Sequence, residues 1–455
     1  MRAFVALVVI AALVAGAVFF ADHPGRVSIL WQDWQVETSA GVLAAAALLL
    51  ALAVALLLRL LRLIRRSPRA LAHRRRERRR HAGYRALSQG MVAVAAGEAE
   101  EALRCAKRAD ALLADPPLTL LLSAQAAQLD GDENAAEKFF TAMLDRSETE
   151  FLGLRGLLNQ ALRADRRGTA LALVERARRL RPKARWVGES LFALQLRDGH
   201  WEAALDTLKE MARRRWIPSD RARHHRGVIL YELSRAAAGG DRRRAKQLAR
   251  EAQELTPDLA APAAHHARLL FDDGETGPAA KAVERAWRTA PNPELAQLYD
   301  AIHGAAPPLA RLKRFERLAG QNPEARDSHQ ALAEAALSAQ LWGEARRRLE
   351  LALRPSAAGE APASPQLCLM MARLEEAEHQ DFARAREWLG RAVAAPPDPR
   401  YVCGDCGGDT AEWQPRCPHC GNFDTLSWRT PNSAGAGIAL APATPGLPSE
   451  RARAT

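Results

Sequence analysis

The chain lacks the fingerprints of common catalysis. No GxGxxG follows a strand, and there is no P-loop, GxSxG or HExxH. The reading is therefore not an enzyme, with no catalytic residues. Cysteine is scarce, six in 455 residues, which suits a reducing compartment. Cys105 and Cys368 stand alone in helical stretches and read as small buried apolar residues. The folded part has no basic patch interleaved with aromatics, so nucleic acid is not an expected partner.

Charge is missing from two runs. Ala3 to Ala21 has none, and neither has Ala40 to Leu58. Each is close to the ~20 residues a helix needs to cross a bilayer. The first could be a cleaved signal core, but it is long for one and a second span follows closely, so a retained two-helix transmembrane hairpin is expected over 1–58. Basic residues are missing from the external loop 22–39, which holds only Arg26. By contrast, Arg59–Arg80 holds eleven arginines and one acid, Glu77, and carries most of the net charge of +12. The positive-inside rule then puts both termini in the cytoplasm. The segment 59–83 is expected to attract anionic lipids. Trp31 and Trp34 in the loop suit a membrane–water interface.

The four remaining cysteines fall into two CxxC pairs, Cys403/Cys406 and Cys417/Cys420, each followed by glycine (Gly407, Gly421). Two such knuckles give four sulfurs around one ion, the set that favours Zn2+ or a single iron. A closed four-sulfur site has no open position, which argues for structure over catalysis. The expected metal ligands are Cys403, Cys406, Cys417 and Cys420, in a small domain over 400–430 that Trp413 and Trp428 help to cover. Beyond it, 431–455 is Ala-, Gly-, Pro- and Ser-rich and reads as disordered.

From Tyr84 to about Pro399 the pattern is helical with a period. Ala102, Ala136, Ala170 and Ala204 recur every 34 residues. Ala245 and Ala279 repeat that spacing after an insertion, and Ala345 and Ala385 continue the series. A second small residue or Met143/Met211 often follows seven positions on, and glycine and proline punctuate the units. Residues 84–399 resemble the tetratricopeptide repeat (TPR), with about eight or nine units. That resemblance implies a superhelical α-solenoid whose groove binds partner proteins. Ser356–Pro365 reads as a loop between repeats.

His224-His225 and His265-His266 occupy matching places in successive repeats. Stacked histidines could ligate haem or a transition metal, but helix surface and packing between helices is the plainer expectation. Haem is accordingly not supported, and the Cys417-Pro418 dipeptide is explained by the knuckle.

The fold class is thus all-α: a transmembrane hairpin, a TPR solenoid and a zinc-ribbon or rubredoxin-like knuckle domain. The loop Pro24–Ser39, with its Pro-Gly, Trp and Val-Glu-Thr-Ser run between two spans, resembles that of the HemY family. The knuckle tail is similar to an extension of alphaproteobacterial members. The resemblance implies an inner-membrane scaffold for proteins of late haem synthesis. It is distinct from the flavin-dependent oxidase sharing the name, since this N-terminus has no dinucleotide fingerprint. The lipopolysaccharide-assembly regulator LapB joins similar parts, usually with one span, and an iron-loaded electron carrier is a third alternative.

Overall fold

The computed structural model describes residues 25–31, 34–113, 116–354 and 363–431, with isolated positions before residue 25. The expected first span, the Ser356–Pro365 loop except its last residues, and the tail from 432 fall outside the described residues. The chain divides into two compact units, 1–139 and 140–455.

In the first unit, the segment read as a loop between spans is a β-hairpin. Strands β1 (Arg26–Trp31) and β2 (Trp34–Ser39) pair antiparallel from Arg26↔Ser39 to Trp31↔Trp34. Val27, Ile29, Val36 and Thr38 are β-branched residues at alternate positions, a pattern that favours a strand over an irregular loop.

Helix α1 (Ala40–Ala96) follows directly. Its part Ala40–Leu61 is apolar and long enough to cross a membrane, and none of it is buried. The arginine-rich stretch continues the same helix, because Leu and Arg are good helix formers and no capping glycine comes before Gly97. Gly97 then takes φ 82°, and the amides of Gly97 and Glu98 bond back to Val94 and Ala93. That left-handed C-cap costs least with glycine. Helices α2 (Ala99–Leu112) and α3 (Pro116–Asp130) pack on its C-terminal end. Gly90 makes this approach close: a Cβ there would lie 2.6 Å from Leu122 and 3.0 Å from Cys105.

Helix α4 (Glu133–Ala142) begins in the first unit and ends in the second. The second unit continues with α5 (Glu150–Arg163), α6 (Arg167–Leu180), α7 (Arg185–Arg197), α8 (Trp201–Arg213), α9 (Ser219–Ala237), α10 (Arg242–Leu255), α11 (Ala260–Asp272) and α12 (Thr276–Trp287). It ends with α13 (Pro293–His303), α14 (Pro308–Ala319), α15 (Arg326–Ser338), α16 (Trp342–Ala352), α17 (Pro365–His379) and α18 (Phe382–Ala394). Counting the end of α1 with α2 as the first, the described residues form nine helix pairs, an all-α fold of TPR type.

The repeat alanines sit on the second helix of each pair. Ala102, Ala136, Ala170, Ala204, Ala245, Ala279 and Ala345 are completely buried. Their partners seven residues on, including Met143 and Met211, are buried with them, except half-buried Ala392. Small residues two turns apart let the pair's helices close up.

The turn five residues before each alanine needs a left-handed residue. Gly97, Gly131, Gly199 and Gly274 supply it, with φ between 73° and 82°. Where glycine is missing, Asp165, Gln340 and Gln380 adopt it at φ 51–57°. Gly240 does not: α9 is longer, and Asp241 caps α10 by accepting from the Arg244 amide.

After α18 the chain forms a three-stranded sheet, β4–β3–β5, from β3 (Arg400–Cys403), β4 (Asp409–Thr410) and β5 (Leu426–Arg429).

Candidate metal centre

Strand β3 delivers Cys403 into a tight turn. The Gly407 amide donates to the Cys403 carbonyl at 3.1 Å, and the Asp405 amide points at Cys403 Sγ at 3.4 Å. The second turn repeats the device, with the Gly421 amide on the Cys417 carbonyl at 2.8 Å. Gly407 and Gly421 have φ of 73° and 75°, the conformation that closes each knuckle. The knuckles are tied by Gly404 N–H to the Thr425 carbonyl and by Asn422 Nδ2 to Asp405, both 2.8 Å.

These turns bring together the four cysteines expected from the sequence. Cys403 Sγ lies 3.7 Å from Cys420 Sγ, Cys406 Sγ lies 3.6 Å from Cys417 Sγ, and all four lie within 4.8 Å of one another. A tetrahedral ion with sulfurs at ~2.3 Å has sulfur–sulfur edges of about 3.8 Å. The four thiols, none in a disulfide, can therefore hold one ion with little movement. Among the described residues, this group of ligand side chains contains no histidine. Cys403 and Cys417 are buried and Cys406 is exposed. Burial raises the Cys403 thiol, but the Thr425 hydroxyl and the amides of Cys406 and Asp405 outweigh it and leave it lowered to about 7. Burial and the neighbouring thiols push Cys420 well above its ordinary value.

The knuckle domain is docked on first helices of the array. Tyr401, Cys403, Trp413, Cys417 and Leu426 share one buried cluster with Val228 of α9, Ala261 of α11 and Leu259 just before it. Trp413 meets Tyr231 edge-on at 5.4 Å, and Arg416 donates to the Arg197 carbonyl of α7. Asn292, which caps α13, reaches the Tyr401 hydroxyl at 3.4 Å. Phe423 lies edge-on to His225 at 5.2 Å and to Phe192 at 6.3 Å. The Asp424 carboxylate is 2.7 Å from His224 Nδ1 and 3.5 Å from His225 Nε2.

The two histidine pairs thus part company. Bonds to Asp258 and Asp424 raise His224 to about 10, so it is an imidazolium at neutral pH. Burial lowers His225 to about 4 and keeps it neutral. His265 and His266 serve packing between helices. His265 is bonded to Ser234 at 2.9 Å and His266 to Gln253 at 2.7 Å, and burial lowers both to about 4.

Asp424, Phe423 and Tyr231 had no role in the sequence reading. One signal was available. Phe423, Trp413 and Trp428 give a domain of some thirty residues more large apolar surface than its own small sheet can cover.

Residues 25–131 match the family described as HemY protein N-terminus, from the β-hairpin through α3. That region is similar to the N-terminus of HemY proteins. Over 94% of its length the chain is 28% identical to "Probable magnetosome protein Mms48" of Magnetospirillum gryphiswaldense, of which it covers 93%. A tetratricopeptide repeat protein from Parabacteroides merdae is similar with TM-score 0.25 and 15% identity, over 62% of this chain and 93% of that one. A Naa15/Naa10 structure bound to HypK-THB gives TM-score 0.40 and 16% identity over 69% of this chain, which spans 58% of that one. The HemY-like N-terminus and the helix pairs together make this a membrane-associated TPR protein.

Proposed function

We propose that the protein is a non-enzymatic scaffold of the inner membrane that gathers proteins of late haem biosynthesis. The observation that carries this reading is the HemY-like N-terminus over 25–131, continuous with TPR helix pairs. Two spans anchor it, with both termini and the array in the cytoplasm, on the contrast between Arg59–Arg80 and the arginine-poor hairpin. Cys403, Cys406, Cys417 and Cys420 hold one structural Zn2+, supported by their near-tetrahedral separations.

The test is the porphyrin profile of a strain lacking this protein against its complemented parent. The expected result is accumulated coproporphyrin or protoporphyrin with reduced haem. An unchanged profile overturns the haem assignment. Metal analysis separates zinc from iron, since a four-sulfur iron site is red and redox-active, whereas zinc is colourless and inert.

A further inference from the structure

The face built by the first helices of the array is the surface on which partners would be gathered, and its middle is already occupied. The knuckle domain covers parts of α7, α9 and α11 and touches the cap of α13. One charged contact of this seam is made by a residue that does nothing for the sulfurs. Asp424 has 7% side-chain exposure and a φ of 57°, a left-handed conformation unfavourable for a non-glycine residue. Folding of the knuckles alone does not require a buried carboxylate aimed away from the cluster. Asp424 and its neighbour Phe423 form a wedge: an aromatic ring against Phe192 and His225, followed by an acid on His224.

The seam is built to open. The same cluster and its edge hold buried polar atoms with no hydrogen-bond partner in the protein, His225 Nδ1, Trp413 Nε1 and Trp428 Nε1. Such groups weaken an interface relative to a permanent core. The wedge starts only three residues after Cys420, so its shape depends on the second knuckle. The linker 395–399 spans at most about 17 Å. This tether keeps the domain at high local concentration over the face.

We propose that this face recognises an aromatic–acid pair, that Phe423-Asp424 fills it in cis, and that a partner protein offering the same pair gains it only when the knuckle domain lifts off. Ligation of the four cysteines holds the wedge in shape and the face closed. Loss of the ion opens it. The proposal rests on the scaffold reading, but it is read on the chain itself, so a normal porphyrin profile leaves it standing or falling separately.

The experiment is hydroxyl-radical footprinting of the full chain in lipid nanodiscs, with metal content measured in parallel. Oxidation of Tyr231 and Phe192 is compared for metal-loaded protein, chelator-treated protein and two variants on the array, His224→Glu and Val228→Arg. The expected result is a several-fold rise at both rings on chelation. The variants give the same rise with the metal still equimolar and helical circular dichroism intact. A cyclic peptide of residues 421–425 then protects Phe192 again in chelated protein, and its Phe→Ala, Asp→Lys version does not. Unchanged oxidation on chelation overturns the link to the ion. Unchanged oxidation in both variants overturns the docked wedge. Absence of peptide protection overturns recognition of the pair.

Discussion

Replacing Asp424 by Asn removes one charge and little else. The backbone at this position is left-handed, with φ 57°, and Asn tolerates that conformation about as well as Asp. The carboxylate is almost fully buried and accepts from His224 at 2.7 Å. Truncating one member of a buried, hydrogen-bonded charge pair costs 2–5 kcal/mol or more. Here the low end applies, because His224 keeps a second carboxylate, Asp258, at 3.1 Å on its other nitrogen. That partner is 65% exposed and screened by solvent, so it softens the loss without replacing the buried bond. The net is about 2 kcal/mol, or roughly 30-fold in the docking equilibrium. Asp424→Ala also removes the acceptor that faces His224, about 1 kcal/mol more, and so weakens docking roughly fivefold further. The reporter is a cysteine in place of Ala261, which lies in the seam at 8% exposure. With thiol reagent limiting, its labelling rate follows the undocked fraction, and mass spectrometry separates it from the native cysteines. Labelling should accelerate from wild type to Asn to Ala. Equal rates for wild type and Asn would refute the buried-charge reasoning, and equal rates for Asn and Ala would refute the hydrogen bond to His224.

Cys417→Ser should reduce bound metal from one equivalent to none, and retention of a full equivalent would exclude the four-sulfur site. The fold should be most stable near pH 6.5. His224 is raised to about 10, so its contribution is full below 6.5 and fades as pH climbs from there to 10. His225, His265 and His266 are lowered to about 4, so the fold loses stability as pH falls from 6.5 toward 4. The guanidinium unfolding midpoint against pH should therefore pass through a maximum, and a flat profile would contradict this. Gln340→Gly should raise the guanidinium unfolding midpoint, worth about 0.5 kcal/mol, because glycine relieves a left-handed residue at φ 57° while adding chain entropy. Leu349→Ala, at a completely buried position, should lower the unfolding free energy by about 2–5 kcal/mol in the same titration.

The helix pairs were legible because their packing demand repeats. Only a small residue fits at Ala170 or Ala279, and 34-residue spacing exposes that need without any structure. The cysteine cluster was legible for a similar reason, since a CxxC turn is local. The turns at Asp165, Gln340 and Gln380 were not, because packing holds them left-handed without glycine and leaves no mark in composition. The hairpin Arg26–Ser39 was missed because Trp31 and Trp34, its last paired residues, looked like membrane anchors. The docking of the knuckle domain was hidden for a different reason. His224 and Asp424 are 200 residues apart, and no periodicity links the two ends of such a contact. The histidine pairs looked alike in sequence, yet only His224-His225 face the knuckle domain.

Helix α1 sets a distance. It runs without interruption from the apolar stretch ending at Leu61 into the first TPR pair, which begins near Tyr84. At ~1.5 Å per residue, the intervening turns form a strut of about 35 Å. Pro68 is its weak point, because proline supplies no amide to the helix ladder. A tilt of the apolar stretch is thus carried to the first pair as a lever stroke rather than absorbed by a linker.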